Sequence, residues 1–85
     1  MNRIYAKLTI DNKLISDYIY ELQEDFVIHN FFDYLAEICA KLDVPVPIIL
    51  VKHIKNFLLY NSTTFTKDDF VESFPYDKLV VEIYN

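Results

Sequence analysis

In Ile4-Tyr5-Ala6-Lys7-Leu8-Thr9-Ile10-Asp11-Asn12-Lys13-Leu14-Ile15-Ser16-Asp17-Tyr18-Ile19-Tyr20, the residues Ile4, Ala6, Leu8 and Ile10 alternate with Tyr5, Lys7 and Thr9. A period of two is that of a half-buried strand. Asp11-Asn12 suits a two-residue type I′ turn, lacking only the usual glycine. The stretch Met1–Tyr20 therefore predicts a β-hairpin. A simple two-residue turn pairs Ile10 with Lys13, Leu8 with Ile15, Ala6 with Asp17, and Ile4 with Ile19. That register sets Ile4, Leu8, Ile15 and Ile19 on the core face, and a one-residue slip would send them outward.

Beyond a polar link at Glu21–Asp25, the apolar period changes to that of a helix. Phe31, Leu35, Ile38 and Leu42 fall at i, i+4, i+7 and i+11, with Phe32 and Cys39 beside them. The helix starts between Phe26 and Phe31, with Asn30 and Asp25 as rival caps. Asp33, Glu37 and Lys41 lie largely off the stripe. Pro45 and Pro47 end it and favour an extended crossing. A second helix is expected over Leu50–Leu59, with Leu50, Ile54, Phe57 and Leu58 inward. Asn61–Thr64 reads as a loop. Thr66 with Asp69 three residues on reads as the cap of a third, short helix over Lys67–Ser73. Leu79–Tyr84 alternates again and is the last strand, placed beside the first in a direction left open.

The order is thus β-β-α-α-α-β, an α+β single domain over residues 1–85. The expected architecture is a three-stranded sheet with helices packed on one face. Eighty-five residues suffice for one core and not for two.

Composition narrows the function classes. The chain carries 13 acidic and 8 basic residues, a net charge of −5. That argues against direct nucleic-acid binding, which draws on cationic contacts to phosphate. Glycine is absent. Every glycine-rich phosphate cradle is thereby removed, and tight turns and helix ends fall to Asn and Asp. Cys39 is the only cysteine, so an intrachain disulfide is excluded, as is a multi-cysteine zinc site. Met1–Ile10 lacks a secretory pattern. Ile48–Val51, the longest purely apolar run, is far shorter than the roughly 20 residues of a membrane span. A cytoplasmic location with no membrane partner is expected.

No set of residues forms a catalytic, metal-binding or cofactor-binding signature, and no cofactor or small-molecule ligand is implied. His29 and His53 have no ligand-type residue at i+3 or i+4 and read as surface or capping histidines. Cys39, on an apolar helix side, reads as a small core hydrophobe. The groups Glu21-Glu24-Asp25 and Asp68-Asp69-Glu72 read as solvated surface, or as a docking surface for a basic partner. The hairpin face opposite the core is expected to carry Tyr5, Tyr18 and Tyr20, joined by Tyr84 from an adjacent last strand. Tyrosine is enriched at protein interfaces, and these four are the candidate interface residues. Val51 and Leu59, left over on the second helix, add to the apolar surface.

Leu42-Asp43-Val44-Pro45-Val46-Pro47-Ile48-Ile49-Leu50, Lys52-His53, Thr63-Thr64-Phe65, Asp69-Phe70-Val71-Glu72-Ser73 and Tyr76-Asp77-Lys78-Leu79 together resemble a family of small uncharacterised proteins of low-GC Gram-positive bacteria, as does the start Ile4-Tyr5-Ala6-Lys7. The similarity spans nearly the whole chain. It departs from the family pattern around Glu21–Asn30, which is longer here, and at Asn61, where glycine is expected. The resemblance implies a bacterial cytosolic protein and no assigned activity.

The expected function is a non-catalytic protein-interaction or regulatory module whose partner is another protein or a second copy. The alternative is an acidic inhibitor from a phage or mobile element that occupies the site of a nucleic-acid-binding protein.

Overall fold

A computed structural model describes residues Arg3–Tyr84; Met1 and Asn2, part of the expected hairpin, lie outside them. Strands β1 (Arg3–Ile10) and β2 (Lys13–Glu21) form the hairpin. Helices α1 (Phe31–Leu42) and α2 (Val51–Tyr60) follow, then β3 (Ser62–Thr66) and β4 (Lys78–Tyr84). Short 3-10 turns cover Ile28–Asn30 and Lys67–Asp69. All strand pairs are antiparallel, in the order β2-β1-β4-β3. The α+β class and the place of the last strand beside the first agree with the sequence reading.

The details differ. The sheet has four strands, because Ser62-Thr63-Thr64-Phe65-Thr66 pairs with β4. Thr63 and Phe65 are buried while Thr64 and Thr66 are exposed. β-Branched threonines suit a half-buried pleat, and the period of two is visible once the strand is known. The third helix is a single 3-10 turn. Its cap is as expected: the Thr66 backbone N–H donates to Asp69 Oδ2 at 2.9 Å.

The hairpin register is the larger correction. Ile10 faces Lys13 as expected, but Thr9 faces Leu14 and Leu8 faces Ser16. Ile15 is thus an extra residue, a β-bulge that shifts every later residue of β2 to the other face. From there Ser16, Tyr18, Tyr20 and Leu22 follow the inward residues of β1, while Ile15 and Ile19 are 52% and 48% exposed. The cause is Asp17. The simple register pairs Asp17 with Ala6, on the face of Ile4 and Leu8. Burying a carboxylate without partners costs several kcal/mol. The bulge turns Asp17 outward, opposite Lys7, where it accepts from Tyr5 Oη at 2.6 Å.

The core lies between the inner sheet face and the two helices. Ile4, Ala6 and Leu8 from β1 and Leu79 and Val81 from β4 meet Phe31, Leu35, Ile38, Cys39 and Leu42 of α1 and Phe57 of α2. α1 packs over β2 and α2 over β3. On α2 the inward set is His53 and Phe57 with Ile54 half-buried; Leu50 and Leu58, expected inside, are exposed.

The chain solves its turns without glycine. Among the described residues Asp11, Asn12, Asp43 and Asn61 take positive φ, between 51° and 64°. At the end of α1, Asp43 N–H reaches Ala40 O and Val44 N–H reaches Cys39 O, the paired bonds of a Schellman motif. Asn61 N–H reaches Phe57 O, the single bond of the αL motif. Asn and Asp tolerate this region less well than glycine. Asp43→Gly and Asn61→Gly should each raise stability by a few tenths to about 1 kcal/mol. Urea unfolding midpoints measure this, and a lowered midpoint would show that the Asp or Asn side chain supplies a needed contact.

Candidate functional site

The four candidate tyrosines do not share a face. Tyr5 and Tyr84 stand on the open side of the sheet with ring centroids 6.4 Å apart, edge to face. Around them Lys7 pairs with Glu82 and Arg3 with Glu21, each at 2.9 Å. The Asp17 carboxylate bonded to Tyr5 holds that phenol above its ordinary ionisation range, with burial adding to the rise. Arg3, Lys7, Glu21, Glu82 and the Tyr5 hydroxyl thus have partners on this side, which also carries the exposed Ile15 and Ile19.

Tyr18 and Tyr20 sit on the opposite, inner face and pack against the core. This corrects the expected tyrosine face; its cause is the bulge at Ile15. Tyr20 Oη donates to Glu37 Oε2 of α1 at 2.8 Å, and its ring lies 5.9 Å from that of Tyr34. Beside them is a shallow pocket of about 200 Å³ lined by Tyr20, Leu22, Gln23, Glu24, Asn30 and Tyr34. That is smaller than the ~300 Å³ at which small-molecule sites begin.

The Glu37 hydrogen bond, then burial, push the Tyr20 phenol up to about 12. Its proton is therefore held more tightly in the folded chain than in the unfolded one, where tyrosine ionises near 10. The resulting stabilisation is fully present below about pH 10 and is lost as pH rises towards about 12. Tyr20→Phe should lower the unfolding free energy by under about 1 kcal/mol near neutral pH, the bond being partly open to water. The difference between the two chains should vanish as pH rises through that window. A difference that persists at the alkaline end would assign the loss to packing.

His53 is buried, not superficial, and it does act as a cap. Its Nδ1 accepts the Leu50 backbone N–H at 2.9 Å, which places the ring proton on Nε2, 3.3 Å from Asp69 Oδ2. The same oxygen takes the Thr66 N–H, and the Thr66 hydroxyl at 3.5 Å. The imidazole also lies over Phe65, with centroids 4.3 Å apart. These contacts tie the start of α2 to the turn after β3. His53 and Asp69 are 1% and 7% exposed, and both ring nitrogens and Asp69 Oδ2 are spent on each other and on Leu50 and Thr66. Cys39 is fully buried on α1, and burial pushes its thiol up to about 12. His29 is exposed. Among the described residues no three His, Cys, Asp or Glu side chains are grouped to hold a metal ion. No described helix is long and apolar enough to cross a membrane.

Besides Ile15 and Ile19 on the open sheet face, exposed apolar side chains stand on the two helices. Val51, Leu58 and Leu59 of α2 are 83%, 60% and 62% exposed, and Phe32 of α1 is 58% exposed. The charges there are sorted by helix. α2 carries Lys52 and Lys55 and no acidic residue; α1 carries Asp33 and Glu37, then Lys41 near its end. The sequence pattern leaves Val51 and Leu59 over as surplus apolar residues and sets Leu58 inside. The missing signal was His53: its burial rotates α2 about its axis and turns Leu58 out.

No protein family, curated protein or solved structure matches the chain. The functional reading therefore rests on the surface chemistry itself.

Proposed function

We propose that the chain is a small non-catalytic protein-interaction module that binds another protein or a second copy through the outer side of its helices. The observation that carries this reading is the run of exposed apolar residues on α2, Val51, Leu58 and Leu59. In a domain this small, stability is on the order of 5 kcal/mol and apolar side chains are needed inside. Several large ones left outside on one helix mark a surface that is covered in use. The ion pairs Arg3–Glu21 and Lys7–Glu82 and the Tyr5–Asp17 bond on the open sheet face support the same choice of side, since those groups already have their partners.

The partner class is protein. The net charge of −5 disfavours nucleic acid. Cross-linking of the full chain in its native mixture, with identification of the linked residues, tests the reading. Links should fall on α2, and Leu58→Ser with Leu59→Ser should reduce their yield at least tenfold while the far-ultraviolet spectrum is unchanged. Links confined to the open sheet face, or a folded double variant with undiminished yield, would overturn it.

A further inference from the structure

We propose that the outer side of the helices is the interface of a symmetric dimer of this chain, in which α1 of each copy lies against α2 of the other. The proposal rests on the interaction reading above and names its partner.

On α1 the buried set is Phe31, Leu35, Ile38, Cys39 and Leu42. A helix turns 100° per residue, so Asp33, Glu37 and Ala40 lie opposite that set, and all three are exposed. On α2 the buried set is His53 and Phe57. Opposite it lie Val51, Lys52, Lys55 and Leu59, also exposed. One helix therefore presents carboxylates and the other presents ammonium groups amid apolar side chains.

A two-fold axis can stack two such surfaces in two ways. One sets α1 on α1 and α2 on α2. That brings Asp33 and Glu37 against their own copies, and Lys52 and Lys55 against theirs, which is repulsive on both sides. The other sets α1 on α2 twice over. Each acidic helix then meets a lysine-bearing one, and Val51, Leu58 and Leu59 are covered at the same step. The second arrangement uses both helices of both copies, so it closes at two and leaves no half-site for a third. Glu37 keeps its Tyr20 bond through Oε2 and has Oε1 free for a lysine. The open sheet face and its ion pairs stay in solvent.

Because the complementarity lies between two helices of one chain, charge reversal gives an unusual test. A chain with Asp33→Lys and Glu37→Lys has basic surfaces on both helices. A chain with Lys52→Glu and Lys55→Glu has acidic surfaces on both. Neither can pair with itself, yet each complements the other. Sedimentation velocity of the full chain in about 0.1 M salt, where charges are screened over ~10 Å, should show wild type at twice its 10.1 kDa mass. Each reversed chain alone should bind itself at least tenfold more weakly, and an equimolar mixture of the two should regain a dimer. Raising salt to about 1 M, where screening falls to ~3 Å, should weaken wild type and the mixture alike.

A wild-type chain that stays monomeric at every concentration overturns the dimer. So does a reversed chain that dimerises like wild type, or a mixture of two monomeric reversed chains that stays monomeric. Should either reversed chain lose its native circular dichroism, Leu59→Asp serves instead, and a dimer undiminished by it overturns the proposal. A monomeric wild type whose cross-links to another protein are still lost with Leu58→Ser and Leu59→Ser would sink the dimer and leave the interaction reading standing.

Discussion

Phe57→Ala should lower the unfolding free energy by about 3–5 kcal/mol, the cost of emptying a large aromatic site in a well-packed core. Phe57 is 2% exposed. Its ring lies 4.9 Å from that of Phe31 at the start of α1 and 5.4 Å from that of Phe26 in the connection before it. It is thus the side chain through which α2 is joined to the rest of the helical side. A domain of this size has roughly 5 kcal/mol in all, so the variant should be partly unfolded even without denaturant. Phe57→Leu, which keeps most of the volume, should cost markedly less. The measurement is urea unfolding followed by circular dichroism, with fluorescence of the tyrosines as a second probe. A loss below about 1 kcal/mol for the alanine variant would mean that α2 is held by other contacts, and the place of Phe57 in the core would have to be redrawn.

His53→Ala should cost about 3 kcal/mol, of the size seen when a buried hydrogen-bonded group is removed from its network. Three contacts go together: the cap on Leu50 N–H, the donor to Asp69, and the ring against Phe65. Asp69→Ala should cost a similar amount, because it frees the Thr66 N–H as well. The two losses should not add. A cycle of His53→Ala, Asp69→Ala and the double variant should give a coupling of about 1–2 kcal/mol, since the shared bond can be broken only once. Full additivity would show that the 3.3 Å contact contributes nothing and that each residue acts through its backbone partner alone.

Much of the architecture was legible along the chain, and the exceptions have a common character. The alternation in Ile4–Ile10 and the stripe Phe31–Leu42 are local patterns, and each forms the element it predicts; the pair Thr66 with Asp69 marks a turn in the right place but a shorter one, Lys67–Asp69. The bulge at Ile15 is not local. It follows from weighing Asp17 against Ala6 across the hairpin, and the two exposed isoleucines are its consequence. β3 is not local either, for Ser62-Thr63-Thr64 becomes a strand only because β4 lies beside it. His53 reads as polar, yet it is interior because Leu50 N–H and Asp69 satisfy it there. The candidate site shows the same division. Val51 and Leu59 were identifiable as surplus, but the tyrosine face dissolved with the register. The opposition of Asp33 and Glu37 to Lys52 and Lys55 has meaning only once both helices lie on one side of the sheet.

The pairing of β1 with β4 has a kinetic consequence. The two middle strands of the sheet are separated by nearly the whole sequence, with Ile4 opposite Ile83 and Leu8 opposite Leu79. During synthesis the hairpin and both helices emerge first, and one edge of β1 stays open until Lys78–Tyr84 is made. Closure over so long a loop is slow relative to hairpin or helix formation. In that interval the backbone of β1 and the apolar row Ile4, Ala6 and Leu8 are available to strangers. Folding yield at high expression should therefore be governed by how soon the last strand arrives.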